Sequence, residues 1–165
     1  MTLGTAQSLS ELKPGQWVIA SSEDKFCYAL VVNDGTKNRL LSLIKDMFSF
    51  LYTRDEDIFY LLPDCSIIPD TSSISYISPN NIHRPSFERQ LIIGTDGAFV
   101  IIKTDRGPLR FLVSSGELVN NLSQHYILFS RWKVVQTRNN IDTDLFYIET
   151  DKSTMDVTTR GATSA

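Results

Sequence analysis

The residue types that most often do chemistry are sparse in this chain of 165 residues. It has two histidines, His83 and His125, and two cysteines, Cys27 and Cys65. A histidine can act as a general base, but it needs a partner group to orient it. Neither cysteine belongs to a C-x-x-C pair, and two histidines are too few for the usual zinc ligand sets. The sequence therefore predicts no metal site and no cofactor.

Carboxylates provide a second kind of candidate. Asp142 and Asp144 have D-x-D spacing, which on a strand places both carboxylates on one face, where they could hold a divalent cation. The run 55–57 offers similar oxygen ligands but lacks the full ladder of a calcium loop. A polar turn is the alternative interpretation of both. Because phosphate loops, dinucleotide fingerprints, zinc-protease motifs and G-x-S-x-G are all absent, the sequence favours a non-catalytic protein.

The aromatic residues offer binding chemistry. Phe48, Phe50 and Tyr52 form a stripe at strand spacing, which binds a peptide or a base if it faces outward and forms core if it faces inward. Trp17 and Trp132 have the same two interpretations, because a tryptophan is rarely fully buried and its N–H needs an acceptor. Both tryptophans are therefore candidates for the border of a binding groove.

Composition narrows the class of protein. Hydrophobic residues make up 42% of the chain, which is enough for a core, and the formal net charge is −3. Neither half carries the basic excess of a typical nucleic-acid binder, although the second half leaves a local basic patch as an alternative. No secretory signal and no apolar run of spanning length is visible. We predict a soluble protein of the cytoplasm or nucleus, without a membrane partner.

Alternating apolar residues predict a mostly β chain, with one or two small SH3-like or β-barrel units and one short helix. The predicted organisation has four parts. They are a first β unit at 11–63, a connector rich in Pro, Ser and Asn at 64–86, a second β unit at 87–150 and a mobile tail at 151–165.

The short helix is predicted at 115–124. Ser114 and Glu117 have the spacing of a capping box, in which each side chain bonds a backbone amide of the other residue. Leu118, Val119 and Leu122 then fall on one helical face.

The two halves also show a faint echo of each other. Trp17 and Ile19, followed by a turn and an apolar strand, match Leu91 and Ile93 with the same succession. A degenerate duplication explains this echo, and so does the general likeness of any two β-meanders.

Residues 13–63 resemble the Tudor-type members of the SH3-like barrel group. The matching residues are Pro14-Gly15, Val18, Ala20, Glu23-Asp24, Tyr28-Ala29, Val31, Ile44, Asp46, Asp57-Ile58, Leu61 and Pro63. The resemblance implies a small barrel, and often an aromatic cage that binds a methylated lysine or arginine. Tyr28 matches a cage aromatic, and Phe48 and Phe26 are the other aromatics that could contribute. Ser21 and Met47 stand where the family often has an aromatic.

These observations favour a non-catalytic module that mediates protein–protein interaction as an adaptor, inhibitor or peptide reader. The candidate binding residues are Tyr28, Phe26, Phe48, Trp17 and Trp132, and the expected partner is a protein or peptide. Two alternatives stay open. One is a nucleic-acid-associated SH3-like module, and the other is a small-molecule-binding or enzymatic protein with its site in the cleft between the two β units.

Overall fold

The computed structural model describes residues 1–22, 25–43, 48–54, 56–77, 89–119 and 126–150. In these ranges it contains strands and one short 3₁₀ turn, η1, at Thr71–Ser73. The predicted mostly β fold class is therefore confirmed. The strands form several open antiparallel sheets rather than one closed barrel.

The strands run in chain order as follows. They are β1 Ala6–Ser8, β2 Trp17–Ser22, β3 Lys25–Asn33, β4 Asn38–Ser42, β5 Ser49–Phe50, β6 Ile58–Leu62, β7 Cys65–Pro69, β8 Ile74–Ile77, β9 Leu91–Gly94, β10 Gly97–Thr104, β11 Gly107–Leu112, β12 Tyr126–Phe129, β13 Arg131–Arg138 and β14 Ile141–Glu149. One sheet has the order β1-β6-β2-β3-β4-β5, a second β11-β10-β9-β12-β8, and a third β14-β13-β7.

Local turn chemistry fixes two of the hairpins. Between β3 and β4, Gly35 has φ +91°, and Asp34 Oδ1 accepts hydrogen bonds from the amides of Thr36 and Lys37. Between β13 and β14, Asn139 and Asn140 have φ of 50° and 62°. Two consecutive residues at positive φ make the tight turn whose twist matches that of a β-hairpin.

The two large sheets have the same topology. Reading β1-β6-β2-β3-β4 beside β8-β12-β9-β10-β11, every strand has a counterpart at the same place in the order. The segment that pairs with the outer edge of β4, which includes β5, also has an equivalent beside β11. The Leu51 amide donates to the Leu40 carbonyl, and in the second repeat the Val119 amide donates to the Arg110 carbonyl. We call β1–β7 the first repeat and β8–β13 the second repeat.

The residue registers of the repeats also coincide. In each repeat, one row of paired residues crosses five neighbouring segments and faces the other repeat. The two rows are Leu62–Trp17–Leu30–Leu41–Phe50 and Phe129–Leu91–Val100–Phe111–Leu118. Trp17 and Leu91, the residues of the sequence echo, are equivalent in this alignment.

Three apolar clusters follow from this arrangement. Each repeat has its own cluster on one face of its sheet, around Val18 and Val31 in the first and Ile92 and Ile101 in the second. The opposite faces meet in a shared core. Its buried members are Trp17, Ile19, Leu30, Val32, Leu41, Leu43, Phe48, Leu62, Leu91, Val100, Ile102, Phe111, Val113, Phe129, Trp132, Val134 and Ile148. Side chains from both repeats thus fill the space between them.

The third sheet joins the repeats. β7 and β13 occupy equivalent places after β6 and β12, and they pair with each other antiparallel, with Ile67 opposite Val134. An approximate two-fold axis therefore passes between these two strands. β14 lies on the far edge of β13 and pairs with no strand of the first repeat among the described residues.

The structure differs from the predicted connector at 64–86. Its described part, 64–77, is mostly regular: β7 pairs with β13, and β8 pairs with β12. Pro69 can belong to a strand because it is the last residue of β7, where its missing N–H costs no hydrogen bond of the sheet. Residues 78–86 lie outside the described residues, as does the predicted tail at 151–165.

The predicted helix at 115–124 is not present where the structure describes the chain. Residues 115–119 form a turn and then a bridge in which Leu118 pairs with Phe111. Gly116 has φ +65°, which is incompatible with a right-handed helix. The Ser115 hydroxyl, rather than that of Ser114, lies 3.4 Å from the Glu117 amide. Residues 120–124 lie outside the described residues.

Candidate functional site

The structure places the five predicted binding residues in different environments. Trp17, Phe48 and Trp132 are buried in the shared core, with exposures of 4%, 3% and 0%. Tyr28 is half-buried at the margin of that core. Phe26 is 79% exposed. Of the five, only Phe26 and Tyr28 present surface that a partner can reach without opening the core.

Trp132 has the environment of a structural residue. Its indole N–H donates to the Arg89 carbonyl oxygen at 2.9 Å, so its one polar group is satisfied inside the core. Phe48 packs edge-on against the indole, with ring centroids 6.0 Å apart. This pair joins the first repeat to the second.

Trp17 and Tyr28 are brought together by a residue that sequence reasoning did not select. Phe146 of β14 stacks on Tyr28 with ring centroids 5.4 Å apart, and it contacts Trp17 at 5.8 Å. The Tyr28 hydroxyl lies 3.6 Å from the sulfur of Met1. Stacked rings at this spacing are in van der Waals contact, so no methylated ammonium group fits between Tyr28 and Phe146.

The aromatic stripe of β5 and its neighbours is divided between core and surface. Phe48 is buried, whereas Tyr52 is 88% exposed. Phe50 lies between these extremes: it packs edge-on against Phe111, and the Arg39 guanidinium lies 3.9 Å from its ring centroid. The stripe is therefore not one continuous binding face.

Phe26 belongs to an extension that only the first repeat has. The β9–β10 hairpin ends with the pair Gly94 and Gly97, whereas β2–β3 continues for two further residue pairs. Phe26 lies in this extension, opposite Ser21. Because the second repeat folds without the extension, the shared architecture does not need a phenylalanine there.

Two further exposed apolar side chains lie on the same sheet face as Phe26. Ile58 and Tyr60 on β6 are 53% and 42% exposed, and Phe59 between them is buried, so Ile58 and Tyr60 point to the same face. Tyr60 and Tyr28 both pair with Ile19, on its two sides, which places all three on the face that carries Phe26. We call Phe26, Tyr28, Ile58 and Tyr60 the hairpin-end surface.

This surface is the uncovered continuation of the shared core. The same sheet face is buried against the second repeat at Trp17 and Leu30, and it emerges at Tyr60 and Phe26. The pattern 58–62 predicts a strand, but the exposure of its alternate residues depends on where the second repeat ends. Ile58 and Tyr60 could therefore not be selected from the sequence.

A separate hollow of about 500 Å³ lies in the first repeat, beside β4 and the residues that follow β5. It is lined by Leu9, Ser10, Lys37, Asn38, Arg39, Leu51, Tyr52 and Thr53. Arg39 is paired with Asp34 at 3.5 Å, and Asn38 donates to the Leu12 carbonyl oxygen. Arg39 and Asn38 are therefore already engaged within the chain.

The described residues contain no cluster of three or more His, Cys, Asp or Glu side chains that could hold a metal ion. The D-x-D carboxylates have protein partners: Thr137 donates to Asp142, and Lys133 Nζ lies 2.7 Å from Asp144. His83 and His125 lie outside the described residues.

Comparisons with known proteins add no assignment. No family model, no curated protein and no solved structure matches the chain. In the part of the chain that the structure describes, no helix has the length and apolar character needed to cross a membrane. The class that the fold defines is a duplicated, mostly β protein with one core shared by two repeats.

Proposed function

We propose that this chain is a non-catalytic protein-binding module and that the hairpin-end surface is its contact site. One observation carries the proposal: Phe26 is 79% exposed in a hairpin extension that the equivalent repeat lacks. When a partner covers an exposed phenylalanine that the fold does not require, the apolar surface removed from water contributes favourably to the free energy of binding.

The chemistry of the surface indicates the kind of partner. Its four side chains are apolar or aromatic, and the two tyrosines add hydroxyl groups that can hydrogen-bond across an interface. Apolar area removed from water contributes about 25 cal/mol per Å². A protein or peptide that presents apolar side chains fits this surface better than a nucleic acid, whose backbone requires cations.

We propose that the resemblance of residues 13–63 to Tudor-type barrels concerns the arrangement of strands and not the ligand. It is supported by the course of β6, the closing segment of the resemblance, which returns to pair with the opening strand β2. Reading of a methylated side chain is not part of the proposal, because Phe146 already stacks on Tyr28.

Comparative affinity capture from native lysate, with and without nuclease, tests the proposal. The test bait is a double variant that carries both Phe26→Ser and Tyr60→Ser. The matched control bait carries Tyr52→Ser, which alters an exposed aromatic residue outside the hairpin-end surface. We expect a stoichiometric protein that the unmodified chain and the control retain and the double variant loses. All baits should unfold at similar temperatures.

Two results would contradict the proposal. The first is a partner that the double variant binds as well as the unmodified chain does. The second is capture that nuclease abolishes, which would favour the nucleic-acid alternative. A small-molecule site between the repeats is opposed by the shared core that fills this space.

A further inference from the structure

The hollow beside β4 lies where the pairing of β4 with the segment 49–53 ends. The last backbone bond of this pairing runs from the Leu51 amide to the Leu40 carbonyl. Alternate residues of an antiparallel strand direct their backbone groups to the same side, so the next residues that could bond across this edge are Asn38 and Thr53. No backbone hydrogen bond joins these two residues in the described part of the chain. The N–H and C=O of Asn38 therefore point from the edge of β4 toward the hollow, which both residues line.

Hydrogen bonds from side chains hold two walls of the hollow in place. Asn38 Nδ2 donates to the Leu12 carbonyl oxygen, which ties the loop that contains Leu9 and Ser10 to β4. The Asn33 side-chain amide in turn donates to Asn38 Oδ1. Sites for small molecules are usually largely formed before the ligand arrives and have volumes of about 300–1,000 Å³. The hollow, at about 500 Å³, falls within this range.

The charged side chains among the described residues that line the hollow are both cations, Lys37 and Arg39. Arg39 is positioned by Asp34, at 3.5 Å, and by Phe50, whose ring centroid lies 3.9 Å from the guanidinium carbon. A guanidinium has five N–H donors, so this single contact with a carboxylate leaves donors for a ligand. Even with Asp34 counted, positive charge exceeds negative charge here, in a chain whose formal net charge is −3. The hollow is therefore electrostatically suited to an anion.

Other lining groups are available for recognition. The Lys37 ammonium and the hydroxyls of Tyr52 and Thr53 form no ion pair or hydrogen bond with the described residues, so they can donate to a ligand. Leu9 and Leu51 supply apolar wall, and Tyr52 adds an aromatic ring that is 88% exposed. A ligand that combines an anionic group with an apolar body matches both kinds of lining.

We propose that this hollow binds a small organic anion, a carboxylate or phosphate ester that carries an apolar or aromatic body. Its anionic group accepts hydrogen bonds from the Lys37 ammonium, the Asn38 backbone amide and the Thr53 hydroxyl. Its body packs against Leu51 and the ring of Tyr52. The inference does not rest on the proposed function, because the hollow and the hairpin-end surface share no residue.

NMR titration of the nitrogen-labelled full chain tests the site. The probes are naphthylacetate and naphthyl phosphate, and the neutral control is naphthylacetamide, which has the same apolar body. We expect the anions to shift the amide resonances of residues 9–10, 37–39 and 51–53. The amide should bind about tenfold more weakly, because it lacks the charge. Comparing the two anions identifies the preferred anionic group.

Two lysine variants test which cation is responsible. Lys37→Gln removes the exposed ammonium at the hollow and should weaken binding of the preferred anion about tenfold. Lys103→Gln, at an exposed lysine of β10 in the second repeat, is the matched control and should leave the affinity unchanged. Thermal melting establishes that both variants are folded.

Four results would overturn the proposal. They are the absence of binding by either anion at millimolar concentration, shifts confined to residues outside the hollow, equal affinity for the anions and the neutral amide, and unchanged affinity in Lys37→Gln.

Discussion

Gly15 and Gly116 meet backbone to backbone at the junction of the two repeats. A Cβ atom on Gly116 would lie 2.4 Å from the Gly15 nitrogen and 2.3 Å from the Val31 carbonyl oxygen. Gly116 also has φ +65°, and its carbonyl accepts a hydrogen bond from the Asn33 amide at 2.8 Å. The close approach lets a turn of the second repeat dock directly on β3.

We therefore expect Gly116→Ala to lower the free energy of unfolding by at least about 2 kcal/mol, because backbone strain and a backbone clash add. Gly35→Ala is the matched control. Gly35 also has positive φ, but a Cβ atom on Gly35 would meet no atom within 4 Å, so its cost should be about 1 kcal/mol. Urea denaturation of the two variants measures the difference, and equal costs would contradict the docking described.

The predicted binding aromatics that are buried should behave as core residues. Trp132→Ala removes a fully buried side chain together with its bond to Arg89. The expected cost is about 3–5 kcal/mol in the free energy of unfolding. Tyr52→Ala, at a residue 88% exposed, should be nearly neutral. A neutral Trp132→Ala in thermal melting would show that Trp132 is not a core residue.

Fold class was accessible from the sequence because alternation of apolar residues is a local signal. The Asn33-Asp34-Gly35 turn likewise follows from local chemistry, since glycine supplies the positive φ. The helix prediction failed because Leu118 and Val119 fit a helical face and a strand edge equally well. Pairing with Phe111, a tertiary contact, decided between them.

The candidate site was harder to predict for a similar reason. Trp17 lies on a sheet face and Phe48 directly precedes β5, and nothing local shows that a second repeat covers them. Phe26 stays exposed because it lies beyond the covered part. The sequence echo between Trp17 and Leu91 contained the necessary clue, since two equivalent apolar faces can bury each other.

Asp70 should make stability at the β7–η1 corner dependent on pH. Hydrogen bonds from the side chain and amide of Ser72, with Arg131 nearby, lower the pKa of Asp70 from its ordinary 3.8. A lowered pKa in the folded state stabilises the protein above pH 3.8, and this stabilisation is lost as the pH falls through the folded value.

Asp70→Asn should therefore lower the melting temperature at pH 7 and have no remaining effect in strong acid. Asp105→Asn, in an exposed turn, is the control and should change neither value. If the deficit of Asp70→Asn were the same at every pH, the carboxylate charge would not be its cause.

Cys65 should be a poor nucleophile in the native protein. Burial, with a smaller contribution from Asp64, raises the pKa of its thiol from 9.0 to about 11. Thiolate is the reactive form, so alkylation at pH 7.5 should be much slower in the folded than in the unfolded chain. Mass spectrometry after timed iodoacetamide treatment reports this directly, and equal rates in the two states would refute it.

The same pKa has a consequence for stability in alkali. Because the folded protein holds the Cys65 proton more tightly than the unfolded chain, its stability should fall as the pH rises from 9 to about 11. Cys65→Ser should reduce this fall. Thermal melting across that interval would contradict the assignment if the variant and the unmodified protein lost stability in parallel.

The most direct test of the hairpin-end surface is hydrogen exchange of the chain, alone and saturated with its captured protein partner. The proposal predicts slower exchange in the segments that carry Phe26 and Tyr28 on β3 and Ile58 and Tyr60 on β6, with little change in the second repeat. Protection confined to β14 or to the hollow beside Tyr52, with β3 and β6 unchanged, would contradict it.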